Sequence, residues 1–161
     1  GRGAVAWGVR GEGAPLCGAT GLAVVATRVA RRLVGRGWDR GPRLRDEVES
    51  ALKGNAMVHD IRGRGFLLGV ELVDPRDGKS FLPDELQVGL RVEDHALEHG
   101  LLVSSTHSTS DGYAGDEILL APAFTSTDEE LAMMVERFAE TMRHMTGKIE
   151  KTLNGAAASR Q

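Results

Sequence analysis

A chain of 161 residues suits one domain with a single core, and a domain of this size buries roughly 70% of the surface its unfolded chain exposes. Hydrophobic residues at 41% and charged residues at 27% exclude a disordered, collagen-like or coiled-coil chain. A net charge of -3 leaves no basic surplus to bind a phosphate backbone, so nucleic acid is not an expected partner, and the lone Cys17 allows no intrachain disulfide, which points to a reducing cytoplasm.

The chain opens Gly-Arg-Gly, and its first methionine is Met57. No apolar run reaches the ~18 residues of a membrane span, and no signal-peptide pattern precedes the first helix, so the expectation is a piece of a longer protein with no membrane contact. Residues 1–13 are glycine-rich without helical or strand period and read as a loop. Pro15 then opens a helix in which Leu16, Ala19, Ala23, Ala26, Ala30 and Leu33 recur at three- and four-residue spacing, with arginines gathered at its end. Leu22, Val24, Val25 and Val29 make most of its circumference apolar, which predicts burial on more than one side. Gly35-Arg36-Gly37 is expected to end it. A shorter helix follows on Leu44, Val48, Ala51 and Leu52, stopping at Gly54-Asn55.

Met57–Ile61 and Phe66–Val73 read as two strands joined through Arg62-Gly63-Arg64-Gly65, with a turn at Asp74–Gly78. A helix carrying Leu86, Leu90 and Leu97 begins at Asp84 and ends at Gly100, and a strand at Leu101–Val103 precedes a long polar loop from Ser104 to Asp116. Ile118–Ala121 is a further strand. Thr127-Asp128-Glu129-Glu130 has capping-box spacing ahead of the apolar stripe Leu131, Met134, Val135, Phe138 and Met142. The apolar period is lost after Gly147, so 147–161 is expected to be a flexible tail. The order after residue 55 is strand, strand, helix, strand, strand, helix, an α+β arrangement with helices covering one face of a small sheet.

Among candidate sites, His95-Ala96-Leu97-Glu98-His99 matches a zinc pattern in which two histidines one turn apart bind the metal and the glutamate acts as base. A third ligand is not evident, and two polar-face histidines in a last helical turn are the simpler reading. Gly63, Gly65 and Gly69 lack the following helix of a phosphate loop and fit a tight hairpin. Arg62, at a strand end, is expected to be packed and Arg64 solvated. Cys17 reads as a buried hydrophobe. Serines 104, 105, 108 and 110 lie outside any nucleophile elbow, and Trp7, Trp38 and Tyr113 are too scattered for a stacking platform.

Gly13-Ala14-Pro15-Leu16-Cys17-Gly18-Ala19 with Gly21-Leu22-Ala23-Val24 resembles a helix start of class III (omega) aminotransferases, pyridoxal-phosphate enzymes of fold type I. Val58-His59-Asp60-Ile61-Arg62-Gly63-Arg64-Gly65 running on to Val70-Glu71-Leu72 is similar to their hairpin. Asp111-Gly112, Gly115-Asp116, Leu119-Leu120-Ala121-Pro122 and Thr127–Leu131 resemble a third segment. Three pieces in the right order mark the C-terminal third of such an enzyme.

The resemblance implies a link from a missing large domain over 1–37 and a small C-terminal domain over 38–146. It also implies a homodimer, and transfer of an amino group from a donor to a keto acid or aldehyde with pyridoxal phosphate as electron sink. The cofactor-binding lysine of the family would precede Gly1, so this segment alone is expected to be inactive and to hold no catalytic or cofactor residue. The family's cofactor-phosphate threonine falls on Arg10, and its histidine before proline on Ala14. Its substrate-carboxylate arginine, present in some members, falls on Leu119, and Glu117 stands where histidine is common. A stand-alone, non-catalytic binding module is the alternative, with a zinc enzyme using His95 and His99 behind it.

Overall fold

The computed structural model describes residues 15–107 and 115–158. In chain order the elements are α1 (Pro15–Ala30), α2 (Leu33–Ala51), β1 (Val58–Arg64), β2 (Leu67–Leu72), a 3-10 turn at Asp84–Leu86, α3 (Val88–Glu98), β3 (Ser104–His107), β4 (Asp116–Leu120) and α4 (Asp128–Ala158). The chain divides into two compact units at Gly35 and Arg36.

In the first unit, α1 starts at Pro15, where a missing N–H and fixed φ suit a first turn. It ends at Ala30 because Arg32 takes a left-handed φ of 49°, ahead of the glycines expected to stop it. The predicted burial is not met within this chain. No α1 residue is buried, and Leu16 and Leu22 are 78% and 72% exposed.

The expected stop at Gly35–Gly37 is corrected as well, since α2 runs through Gly35, Gly37, Gly41 and Pro42 to Ala51. The glycines of its second-unit part serve packing. A Cβ on Gly41 would lie 2.4 Å from Gly65 Cα, and one on Gly37 would lie 2.7 Å from the Phe124 ring. The helix backbone thus sits directly against the β1–β2 turn.

The sheet is antiparallel throughout, in the order β1-β2-β4-β3. Arg64 pairs with Leu67, leaving a two-residue turn at Gly65-Phe66 with Gly65 at φ 60°. Glycine is required at position 63, where φ is 139° and a Cβ would meet the Leu67 carbonyl at 2.0 Å. β3 corrects the sequence reading in the other direction. The buried Leu101 and Val103 lie outside regular structure, and pairing begins at Ser104, inside the stretch read as loop. Residues 108–114 of that stretch are outside the described residues.

Period-two alternation sends Leu68, Val70, Leu72, Ile118 and Leu120 to one face, where Leu44 and Val48 of α2, Val88, Val92 and Ala96 of α3, and Phe138, Met142 and Met145 of α4 cover them. Each fully buried side chain of this kind stabilises by roughly 1.5–3 kcal/mol. The α+β expectation is met, with β2, α3 and β3 forming a crossover into which β4 inserts.

The expected tail at 147–161 is corrected up to Ala158. α4 continues through Gly147 and Gly155, and Ile149 and Leu153 are buried in the core. An apolar residue every fourth position was present, but the intervening glycines and polar residues hid it. The capping box forms as predicted, Glu130 N–H donating to Thr127 Oγ1 at 3.2 Å and Thr127 N–H to Glu130 Oε2 at 2.8 Å.

Candidate functional site

The sheet face away from the helices carries Asp60, Arg62, Gly69, Glu71, Glu117 and Leu119 from the hairpin and third segments. Arg62 on β1 lies opposite Gly69 on β2, and Gly69 lies opposite Leu119 on β4. Because Gly69 has no side chain, the Arg62 guanidinium reaches across β2. It donates to Glu71 Oε2 at 2.6 Å and to Glu117 Oε2 at 2.7 Å, with Asp60 Oδ2 at 3.6 Å. A Cβ on Gly69 would stand 2.0 Å from Glu117 Oε1. The bonds to Glu71 and then Glu117 raise the Arg62 pKa above its ordinary value, so it stays charged. Three carboxylates around one guanidinium leave this face acidic. The cluster holds three strands in register and offers no nucleophile beside a base.

Leu119 shares that face, between Gly69 and Ser104 in register, and its apolar side chain supplies no charge for a carboxylate. Ser105 Oγ donates to Glu93 Oε2 at 2.7 Å and its N–H to the same oxygen at 3.0 Å, which ties β3 to α3. Asp116 is buried, and its Oδ1 accepts the Gly89 N–H at 3.1 Å, placing a carboxylate at the positive end of α3. This motif aspartate is therefore a helix cap.

At the α2–hairpin contact a cleft of about 250 Å³ is lined by Trp38, Pro42, Arg45, Gly63, Arg64 and Leu68. Arg45 is engaged by Glu49 at 2.6 Å, and Arg64 makes no ion pair among the described residues. Arg64 is solvated as expected, but Arg62, expected to be packed, is exposed as well, because it lies on the open sheet face and is held there by carboxylates.

His95 and His99 do not form a zinc pair. Their rings stack at 4.2 Å between centroids, and the His99 Nδ1–H donates to the His95 carbonyl at 2.7 Å. Parallel rings do not aim two lone pairs at one tetrahedral point, and no group of three His, Cys, Asp or Glu able to hold a metal occurs among the described residues. Cys17 is exposed, which corrects its reading as a buried hydrophobe. Trp38 is exposed on α2. Arg10, Ala14, Trp7, Ser108, Ser110 and Tyr113 lie outside the described residues.

Two side-chain clusters carried no sequence motif. Arg40 of α2 bonds the Ser126 carbonyl at 2.8 Å and Asp128, and lies over the Phe66 ring at 5.6 Å, while Phe66 stacks on Phe124. His144 of α4 joins the histidine stack. Both depend on tertiary apposition, which spacing along one element does not reveal.

The model of the class III aminotransferase family matches residues 11–142, and the chain belongs to that family. An uncharacterized aminotransferase of Schizosaccharomyces pombe is 32% identical over 128 residues, which is 80% of this chain and 28% of that protein. A transaminase from the marine bacterium Virgibacillus superposes with a TM-score of 0.69 at 26% identity, covering 80% of this chain and 28% of that one. An amine transaminase from an uncultivated Pseudomonas species, solved with PLP bound, gives 0.65 at 25% identity over 77% and 26%. The chain therefore spans only 26–28% of the length of these relatives. These matches lend no support to a stand-alone binding module.

Lys53, Lys79, Lys148 and Lys151 are all exposed: Lys53 lines a shallow cleft of about 290 Å³ with Arg45, Glu49 and Asp60, Lys79 follows a turn, and Lys148 and Lys151 lie on α4. No described helix is long and apolar enough to cross a membrane.

Proposed function

We propose that this chain supplies the small-domain part of a pyridoxal-phosphate-dependent transaminase that moves an amino group from a donor to a keto acid or aldehyde. The single observation that carries this reading is the family match across residues 11–142, which runs from α1 through α4. The exposed apolar circumference of α1 supports it, since an isolated soluble domain rarely leaves so much apolar helix open to water.

In this reading the cofactor is held by a part of a longer protein that contains the lysine, and residues 1–37 link that part to the small domain at 38–146. The protein works as a cytoplasmic homodimer. Leu119 on the open sheet face argues for a substrate that does not present a carboxylate there.

The test compares the purified 161-residue chain with a longer protein carrying it and a cofactor-binding lysine. We expect amino transfer, and a retained pyridoxal-phosphate absorbance, only in the longer protein. Turnover by the 161-residue chain with added pyridoxal phosphate would overturn the placing of the cofactor site outside it, and absence of amino transfer by the longer protein would overturn the transaminase reading.

A further inference from the structure

A column of three imidazoles stands where α3 meets α4. His95 lies between His99, with centroids 4.2 Å apart, and His144, 4.4 Å apart, at interplanar angles of 18° and 20°. His95 is half-buried and its Nδ1 is buried with no hydrogen-bond partner, whereas His99 and His144 are exposed. A neutral His95 can carry its proton on Nε2 and leave Nδ1 bare. The charged form must put N–H on both nitrogens, stranding a buried donor without an acceptor.

We propose that the His95–His99–His144 stack is a proton-operated latch that releases the last turn of α3 from α4 in mild acid. The three rings pack flat while neutral. Charge on His95 together with either neighbour sets two cations face to face, at centroid distances of 4.2 or 4.4 Å, and the packing that joined the helices becomes repulsive.

The surrounding charges reinforce this. On α3 the groups acting on His95 are His99 and Glu98, and on α4 they are His144 and Lys148. Only Glu98 favours the charged ring. Burial, then His99, then His144 push the His95 pKa below its ordinary value. α3 itself also carries Glu93, whose carboxylate accepts from Ser105 of β3, and β4 presents Asp116, which accepts the Gly89 N–H at the far end of the helix. Arg137 of α4 donates to the Gly100 carbonyl at 2.6 Å, just beyond the stack, so the segment from His95 to Leu101 is held at both ends of the latch.

The sign follows from the depressed folded-state pKa. The stack contributes stability above the unfolded histidine value of about 6.5 and loses it as pH falls through that value toward the folded one. This inference concerns the second unit alone and does not rest on the enzymatic reading.

Hydrogen–deuterium exchange of the full chain, corrected for intrinsic rates, together with NMR titration of the imidazoles, tests it. Between about pH 7.5 and pH 5.5 we expect protection at 95–101 to drop about tenfold while β2 and β4 keep theirs. The exposed substitution His144→Gln should raise the His95 pKa and shrink the loss, and His95→Phe should abolish it. If His95→Phe fails to fold, the wild-type titration and His144→Gln still decide. His95 titrating at or above 6.5, an equal acid loss in His144→Gln, or a parallel loss across the sheet would each overturn the latch.

Discussion

Glycines in this chain divide by what a methyl group would meet. Gly41 faces the Gly65 backbone, which cannot step aside, whereas Gly147 of α4 faces nothing within 4 Å. Gly147→Ala removes helix-interior glycine entropy with no clash, so it should stabilise by about 0.5–1 kcal/mol. Gly41→Ala should destabilise by about 1–3 kcal/mol through overpacking. Urea midpoints of the two variants should move in opposite directions, and a shared direction would contradict the geometry. Gly69 is intermediate, because its obstacle is the movable end of Glu117. Gly69→Ala should displace Glu117 from Arg62 and cost about 0.5–1 kcal/mol, given how exposed that bridge is. The measurement is a thermal melt beside Glu117→Gln, whose added effect in the double variant should be small.

Asp77 is another residue-scale case. The Ser80 hydroxyl, then the backbone N–H groups of Ser80 and Lys79, hold its carboxylate at a pKa of about 2. Its folded value lies below the unfolded one, so its contribution is complete above about 4 and is lost as pH falls toward about 2. Carbon-detected titration should place Asp77 well below the exposed aspartates, and an ordinary value would show that the turn at 74–80 is not formed in solution.

At the scale of elements, Arg40 connects α2, the β1–β2 turn and the start of α4 through two hydrogen bonds and one aromatic face. Removing it by Arg40→Ala should cost about 2 kcal/mol, combining a charged hydrogen bond with the ring contact. Arg40→Lys should recover only part, because a point charge cannot bond Ser126 and Asp128 while lying flat on Phe66. Chemical denaturation of the two variants measures the difference.

The same scale shows where the sequence could be read and where it could not. The capping box at Thr127 and the hairpin at Gly63–Gly65 were legible because each is set by neighbours a few residues apart. The glycines of α2 mimic a helix stop because their cause, the approach of Gly65 and Phe124, lies far along the chain. β3 resembles a loop in sequence because Ser104 and Thr106 are polar, yet pairing with Leu119 and Glu117 supplies its strand character. Of the candidate site, the hairpin arginine was visible, but its partner Glu117 is 55 residues away and reached only over the bare backbone of Gly69.

For the whole molecule, the sheet order means that the strand at its centre is the last to be made. β4 begins at Asp116 and pairs with both β2 and β3, which have no other link to each other within the sheet. As the chain leaves the ribosome, β2 and β3 each carry an unpaired edge until residue 120 has emerged, and α4 cannot seal the core until later still. Any nascent chain released before that point exposes two sticky strand edges. The domain therefore matures in one late step, as its final third arrives.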